Sequence, residues 1–276
     1  MARNTEQPNI VSSSRPPSFS PEQETLFREA IELLEGNGVG FAVAGAFALH
    51  QHTGIWRDTK DLDLFLPALE IPRALTLLGR AGFETEVRDR VWLAKAWRAG
   101  FFVDLIAGMS NAVVCVDASW IQRSGRSEIF GAPARILPPE ELIASKVFVT
   151  RRERFDGADI CHIVHGSGYE MDWSRLLDLL GEHWQMLLWH LVLYHYVYPA
   201  DTSRVPQEVW EELLQRFRVE LAHPNRALDF RGTLIDEKMF AIDVAEWGRR
   251  NLLQEQRHMA KRVRARGEGS RPSGGS

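Results

Sequence analysis

The sequence predicts an α+β fold, in which a mixed β-sheet with flanking helices is followed by a C-terminal helical unit. Its first half alternates short apolar runs of strand type with helical patterns and turn residues. From Asp172 onward apolar residues recur at helical spacing, beginning with Trp173, Leu176, Leu177 and Leu180. With 276 residues, 45% of them hydrophobic, the chain is long enough for one large domain or two modest ones.

The first element is a predicted helix that starts after Ser20. Ser20 is a good N-cap, Pro21 suits the first turn, and Gln23 occupies the capping-box position. The glycines at 36 and 38 end the helix. One face of this helix is apolar and contains Leu26, Ala30, Leu33 and Leu34.

The stretch 41–66 follows as strand, turn, short helix, turn and strand, with breaks at Gly45 and Gly54. The second strand carries Asp61 and Asp63, which period-two geometry places on one face. Two carboxylates about 7 Å apart on one strand face repel each other unless a cation lies between them. This arrangement favours a divalent metal. The opposite face of the strand contains Leu62, Leu64 and Leu66.

A third carboxylate, Asp104, lies inside the apolar run 101–107, where an unpaired charge would be costly. The runs 91–97 and 101–107 flank Ala99-Gly100 and predict a hairpin. If this hairpin lies beside the Asp61 strand, three carboxylates converge, and such a set suits Mg²⁺. A second hairpin is predicted over 127–136, with its turn around Gly131-Ala132.

The remaining elements are helical. The segment 71–81 reads as a helix that ends at Gly82, and a new helix opens at Pro138 with Glu140 and Glu141 in its first turn. Lys146 lies on that helix and is followed by a run rich in Arg and Asp. Further helices are predicted over 184–198 and 209–219.

Three motifs in this order resemble the nucleotidyltransferase superfamily: the turn Gly45-Ala46, the D-x-D strand of Asp61 and Asp63, and the later Asp104. The run Arg57-x-Thr59-Lys60-Asp61-x-Asp63 is similar to one shared by small bacterial enzymes of the minimal and antibiotic-modifying type. The resemblance covers residues 38–166. Many members place Ser or Gly where this chain has Ala46, which leaves backbone N–H groups and a helix N-terminus to hold phosphates.

The resemblance implies an enzyme that moves a nucleoside monophosphate from an NTP to a hydroxyl acceptor and releases pyrophosphate. The acceptor is a small molecule, an RNA or a protein. The implied catalytic residues, which also bind Mg²⁺ or Mn²⁺, are Asp61, Asp63 and Asp104. The implied nucleotide-binding residues are Gly45, Ala46, Arg57, Thr59, Lys60 and Lys146.

Other hypotheses stay open from the sequence. Thr59 could equally shape its loop instead of binding nucleotide, and Lys60 could equally neutralise the charge of the three aspartates. For the whole chain, the alternative is a catalytically degenerate fold that serves as a binding module, as one half of a toxin–antitoxin pair. Ala46 favours that alternative, while the three aspartates oppose it.

Four regions are predicted along the chain. Residues 1–19, rich in Asn, Ser, Arg and Pro, read as a disordered leader. Residues 20–137 form the catalytic domain and 138–255 the helical C-terminal domain. Residues 256–276 read as a basic disordered tail, because six Lys or Arg face one Glu from residue 257 onward in a Gly/Ser-rich terminus.

Composition points to the cytoplasm. Cys115 and Cys161 have neither disulfide-framework nor metal-site spacing, which fits a reducing compartment. The N-terminus lacks the apolar core of a signal peptide. The longest apolar stretch, 186–198, is too short for a bilayer span, so no membrane partner is expected. A net charge of −4 argues against a broad polyanion-binding surface.

Overall fold

The computed structural model describes residues 12–13, 15, 17–227 and 230–269. Its centre is a seven-stranded mixed sheet, and a two-stranded ribbon lies apart from it. The described strands are β1 (Ser12–Ser13), β2 (Ala42–Val43), β3 (Trp56–Arg57), β4 (Asp61–Phe65), β5 (Glu84–Asp89), β6 (Leu93–Arg98), β7 (Phe101–Ile106), β8 (Gly125–Ile129) and β9 (Ala132–Ile136). This architecture confirms the predicted α+β class.

Helices flank the sheet and make up the C-terminal half. The described α-helices are α1 (Pro21–Gly36), α2 (Gly45–Thr53), α3 (Ile71–Arg80), α4 (Ala118–Arg123), α5 (Pro139–Lys146), α6 (Gly157–Ser167), α7 (Trp173–Leu180), α8 (Trp184–Val197), α9 (Gln207–Ala222), α10 (Gly232–Ile235), α11 (Ala241–Ala245) and α12 (Leu252–Gly269). Short 3₁₀ turns cover Ala68–Glu70, Gly181–His183 and Pro199–Arg204.

The sheet order is β5-β6-β7-β4-β2-β9-β8. Strand β4 pairs parallel with β7 and antiparallel with β2, and β2 pairs parallel with β9. At one edge of the sheet β5 pairs antiparallel with β6 and β6 with β7, and at the other edge β8 pairs antiparallel with β9. The central strands β4 and β7 are therefore flanked on both sides, which places their side chains in the middle of the sheet rather than at an edge.

Both predicted hairpins are confirmed. Strands β6 and β7 pair antiparallel around Ala99 (φ 53°) and Gly100 (φ 83°), two positive-φ residues as a type I′ turn requires. Strands β8 and β9 pair around Phe130 and Gly131, one residue earlier than the predicted turn, because these are the two residues with positive φ.

The predicted start of α1 is also confirmed. The Ser20 hydroxyl accepts a hydrogen bond from the backbone N–H of Gln23 at 3.1 Å, and Pro21 occupies the first helical position. Helix α3 covers 71–80, within one residue of its predicted range. Local signals therefore fixed these helix boundaries.

One hydrophobic core serves both halves of the chain. Buried residues of the sheet and α1 belong to the same cluster as Leu142 and Ile143 of α5 and Leu176 of α7. The predicted boundary between residues 137 and 138 thus separates two stretches of sequence that share a core. Packing of the helical half against the sheet fixes α5 and the segment after it over the sheet face.

The structure differs from the predicted disordered tail at 256–276. Helix α12 runs through residue 269, and residues 270–276 lie outside the described residues. At the start of α12, Oδ1 of Asn251 accepts a hydrogen bond from the backbone N–H of Gln254. The guanidinium of Arg257 donates hydrogen bonds to Oδ2 of Asp89 and to the Ser110 carbonyl, each at 2.7 Å. These contacts anchor the helix to the body, so the predicted boundary at 255 falls inside it.

The predicted leader at 1–19 lies largely outside the described residues. Within it, β1 pairs antiparallel with β3, and Phe19 packs against the ring of Phe47 in α2. The apolar stretch predicted as a buried helix is α8, which buries Leu187, Leu191 and Tyr194. Over the described ranges, every helix is too short or too polar to cross a bilayer.

We expect Leu64→Ala to destabilise the protein by about 2–5 kcal/mol, because it removes buried methyl groups and leaves a cavity. Leu64 lies in β4 with no exposed surface. The control is Leu69→Ala, since Leu69 is 48% exposed and should lose little stability. Urea unfolding measures both free energies, and equal losses would contradict this account of the core.

Candidate active site

Two of the predicted site carboxylates lie directly opposite each other. In the parallel pairing of β4 and β7, Asp63 is the register partner of Asp104, while Asp61 is the partner of Phe102. Adjacent strands are about 4.8 Å apart, and register partners point to the same face. Asp61 lies two residues earlier in β4, on the same face. The expected adjacency of the two strands is confirmed, and the three carboxylates occupy neighbouring positions.

Gly45 allows Asp63 to reach the N-terminal turn of α2. Gly45 has φ +55°, and a Cβ built on it would lie 2.9 Å from Cγ of Asp63 and closer still to Oδ2. The backbone N–H of Ala44 donates to the Asp63 carbonyl at 2.9 Å, which fixes the two chains side by side. The space that glycine leaves free is occupied by the Asp63 carboxylate, and only glycine combines this backbone angle with that contact.

The charge on Asp63 is unfavourable in the protein without a bound cation. Burial first, and then the nearby carboxylates of Asp104 and Asp61, raise the pKa of Asp63 to about 7, against a smaller opposing effect of Lys146 and Arg154. A cation placed beside these oxygens would relieve the repulsion. The electrostatics therefore favour a bound cation at this position.

Asp104 already has a cationic partner that the sequence analysis missed. Nζ of Lys95 donates to Oδ1 at 2.7 Å and to Oδ2 at 2.9 Å. Burial raises the pKa of Asp104, although the hydrogen bond and charge of Lys95 act in the opposite direction. Lys95 belongs to β6 and is the register partner of Asp104, so it approaches from the side opposite to Asp63. The turn at Ala99-Gly100 sets this register. It was the feature of the sequence from which the pairing of Lys95 with Asp104 could have been predicted.

The donor set suits a hard divalent cation, but the site is only partly assembled. Within the portion of the chain that the structure covers, no group of three or more His, Cys, Asp or Glu is placed to hold a metal ion. Asp61 and Asp63 offer the carboxylate oxygens that Mg²⁺ and Mn²⁺ prefer. Burial and the neighbouring carboxylates raise the pKa of Asp63, so a cation beside it would be favourable. Asp104 is bonded to Lys95 in this structure.

A cavity of about 380 Å³ opens over Asp63 and Asp104, and Asp61 is not among the residues that line it. Its sheet side contains Gly45, Asp63 and Asp104, and its opposite side is formed by α5 and the segment after it. The polar side chains on that opposite side are Ser145, Lys146, Arg151, Glu153, Arg154 and Asp156. The acidic face of the sheet thus meets a wall that carries three cations and two carboxylates.

Two of the predicted nucleotide ligands are already paired. Nζ of Lys146 donates to Asp156 Oδ2 and to Asp159 Oδ2, each at 2.9 Å, and Arg57 forms an ion pair with Asp159. Burial alone would lower the pKa of Lys146, but the two carboxylates outweigh it and raise the pKa. This buried network ties β3 to α5 and α6. The network gives Arg57 and Lys146 partners within the protein, so their positions need no bound ligand to explain them.

The other predicted residues lie around the start of β4 and α2. The Thr59 hydroxyl donates to the Asp61 carbonyl at 2.8 Å and accepts from the Asp61 N–H at 3.3 Å, so Thr59 shapes its loop. Lys60 is exposed beside Asp61. Ala46 is partly exposed in the first turn of α2, next to Gly45.

Arg154 and Arg151 are cavity residues to which the sequence analysis assigned no role. Arg154 forms a two-point contact with Asp156, from Nε to Oδ1 and from a terminal nitrogen to Oδ2, each at 2.9 Å. This bonding raises the pKa of Arg154, and the charge of Asp63 contributes. Arg151 donates to the Ser110 hydroxyl at 2.6 Å. The Arg-rich run was visible in the sequence, but its orientation was not.

We expect Gly45→Ala to be more damaging than Gly54→Ala. Both residues have left-handed φ (+55° and +71°), so each alanine should cost about 1–2 kcal/mol of backbone strain. Only at Gly45 would the new Cβ also displace the Asp63 carboxylate, because a Cβ at Gly54 meets no atom within 4 Å. Urea unfolding measures the difference, and equal losses at the two positions would contradict the proposed contact.

We expect Asp63→Asn to stabilise the metal-free protein increasingly as pH rises from about 4 to about 7. The pKa of Asp63 rises from an ordinary 3.8 to about 7 on folding. In this window the folded protein binds the proton that the unfolded chain has lost, so stability falls with rising pH, and asparagine removes this loss. Above pH 7 the difference should level off.

Urea unfolding in EDTA across this pH range provides the measurement. The control is Asp58→Asn, at an exposed carboxylate just before β4, which should follow the wild-type pH profile. A stability difference between Asp63→Asn and wild type that is constant over the whole range would disprove the assignment.

Several solved structures resemble this chain. The antibiotic-resistance factor ANT(2'')-Ia is 15% identical, with 65% of this chain and 99% of that chain covered and a TM-score of 0.44. An antigenic nucleotidyltransferase-like protein from Paracoccidioides brasiliensis is 19% identical, with coverages of 67% and 93% and a TM-score of 0.41. JHP933 from Helicobacter pylori is 14% identical, with coverages of 92% and 97% and a TM-score of 0.36.

These similarities are too distant to carry a functional argument, and no curated protein matches the sequence. The sequence profile of the family "Nucleotidyl transferase of unknown function (DUF2204)" matches residues 23–171, which is more than half of the chain. The match includes Gly45, Asp61, Asp63 and Asp104 and confirms the resemblance drawn from the motifs. The chain belongs to this family of nucleotidyl transferases.

Proposed function

We propose that this nucleotidyltransferase moves a nucleoside monophosphate from an NTP to a hydroxyl acceptor in a metal-dependent reaction that releases pyrophosphate. Nucleotidyl transfer in general follows from the family. The observation that supports the finer proposal is the register of Asp63 opposite Asp104, beside the close approach of Gly45. This geometry gathers carboxylates at the N-terminus of a helix, where a phosphate chain can also bind.

Asp61 and Asp63 are the proposed ligands of Mg²⁺ or Mn²⁺, with Asp104 completing the set on the acceptor side. When bound, the metal supplies charge neutralisation for the triphosphate and for the reacting oxygens. The chain's own contribution is to hold these carboxylates on adjacent strands, so that little reorganisation is needed at the moment of reaction.

The transfer step exchanges one P–O bond for another. The acceptor oxygen forms a bond to the α-phosphorus, while the bond from that phosphorus to the oxygen bridging toward the β-phosphate breaks. The leaving oxygen takes the electron pair and departs as part of pyrophosphate. The acceptor's proton passes to a carboxylate oxygen of Asp104, which acts as general base.

The phosphates lie at the start of α2 in this proposal. Gly45 lines the cavity, and the backbone N–H groups of Gly45 and Ala46 lie in the first turn of α2, where the helix dipole favours anions. Lys60 is exposed next to Asp61, outside the cavity lining, and is proposed to reach the triphosphate from there. Thr59 keeps the loop that carries Lys60 in shape through its bonds to Asp61.

In this proposal the cations that are already bonded to carboxylates attract the nucleotide through their charge, from fixed positions beside the cavity. Lys146 and Arg154 line the cavity, and both lower the cost of negative charge at Asp63. Arg57 holds Asp159 in place and so keeps the charge of Lys146 beside the carboxylates. These residues supply positive charge next to the triphosphate while they remain bonded to their own partners.

The acceptor has room in an adjoining cavity of about 490 Å³. It shares Ser110, Asn111 and Arg151 with the first cavity and extends toward α10 and α12. Its lining contains both Asp236 and Arg257, so charges of both signs face it. A polar acceptor with several hydrogen-bonding groups, drawn from small molecules, RNA or proteins, fits such a surface.

We expect Asp61→Asn and Asp63→Asn each to reduce transfer of labelled nucleotide by at least about 100-fold, because metal-held charge supplies several kcal/mol of barrier lowering. The assay incubates labelled NTP, Mg²⁺ and a cell extract as the source of acceptor, and mass spectrometry then identifies molecules that gain a nucleotide. Asp58→Asn, at an exposed carboxylate just before β4, is the matched control and should retain activity.

Transfer that survives both substitutions would rule the mechanism out. The alternative function, a binding module without catalysis, predicts that calorimetry detects no metal-dependent binding of NTP to the wild-type protein. Metal-dependent binding together with label transfer excludes that alternative.

A further inference from the structure

Lys95 bonds a proposed catalytic carboxylate, and neither the motifs nor the family match assign it a role. Its ammonium contacts both oxygens of Asp104, at 2.7 and 2.9 Å. The Asp104 side chain is 12% exposed and that of Lys95 is 21% exposed, so water screens the pair only partly. Charge-assisted hydrogen bonds of this kind are about twice as strong as neutral ones.

The pair lies in one row across the sheet. Lys95 of β6, Asp104 of β7 and Asp63 of β4 are successive register partners. Asp104 is therefore flanked by a cation on one side and by a carboxylate on the other. A divalent metal bound between Asp63 and Asp104 would bring a second positive charge within a few ångströms of the Lys95 ammonium, and the two cations would repel each other.

We propose that Lys95 is a positioning residue that competes with the divalent cation for Asp104. In the metal-free protein the ammonium holds the carboxylate and offsets the cost of its burial. When a cation binds at Asp61 and Asp63, Lys95 releases Asp104 to it. This inference rests on the proposed metal-dependent function and adds a residue that controls when the third carboxylate becomes available.

The surroundings of Lys95 allow it to move. Its four-carbon stem is flexible, and the side chain is partly exposed. The ammonium already lies 5.4 Å from the centre of the Phe102 ring, in β7 two residues before Asp104. Phe102 is the register partner of Asp61. The face of this aromatic ring can hold the released ammonium near the cavity through a cation–π contact.

The test measures Mn²⁺ binding to the full-length, metal-stripped protein by the electron paramagnetic resonance signal of free Mn²⁺. Four proteins form a double-mutant cycle: wild type, Lys95→Met, Asp104→Asn and the combination. We expect Lys95→Met to tighten Mn²⁺ binding by about tenfold, the lower range of effects seen for residues that orient metal ligands. Without Asp104, the same substitution should change the affinity by less than about twofold, because the competition is gone.

Two further variants sharpen the result. Lys95→Arg keeps the charge and can grip both carboxylate oxygens with a rigid fork, so it should weaken Mn²⁺ binding. Arg98→Met removes a cation from the same strand that pairs with Glu29 away from the site, and it should leave Mn²⁺ binding unchanged. Lys95→Arg retains a partner for Asp104, so it also provides the test if Lys95→Met does not fold.

The outcomes separate this inference from the proposed function. Equal tightening by Lys95→Met with and without Asp104 would show a general charge effect and overturn the competition. Unchanged Mn²⁺ affinity in Lys95→Met and Lys95→Arg, with label transfer intact in the wild type, would overturn the role of Lys95 alone. Absence of both Mn²⁺ binding and label transfer in every protein would overturn the two proposals together.

Discussion

The parallel pairing of β4 with β7 is the constraint on which the site depends. It places Asp63 opposite Asp104 in the middle of a sheet, where neither carboxylate is fully solvated. Like charges at this spacing repel, and burial adds to the cost. The nearby structure compensates for this charge: Gly45 makes room for one carboxylate, and Lys95 binds the other.

A second buried network balances the charges on the opposite wall of the cavity. Lys146 joins Asp156 and Asp159, and Arg57 reaches Asp159 from β3. Because α5 and α6 share the core of the sheet, this wall is held at a fixed position above the carboxylates. The helical half of the chain is therefore part of the site's framework, and the stretches on either side of the predicted boundary at 137 share one hydrophobic cluster.

These two features give the family's chemistry a physical basis. In the proposed reaction the carboxylates of the sheet face attract the metal, and the opposite wall offers the triphosphate three cations beside the carboxylates of Glu153 and Asp156. The adjoining cavity near α10 and α12 lies outside both charge networks. Its lining comes mostly from the C-terminal part of the chain, beyond the residues that match the family. Under the proposed function, substitutions in this adjoining cavity would leave the charges around Asp63 and Lys146 in place.

The sequence alone determined the local features. Alternation placed Asp61 and Asp63 on one strand face, turn residues set both hairpins, and capping signals set α1, because each depends on neighbours a few residues apart. Tertiary structure decided the charge partners. Arg57 and Asp159 are far apart in sequence, and no local pattern encodes their contact. The pairing of β4 with β7 is likewise a packing outcome, since any buried strand offers the same backbone hydrogen bonds.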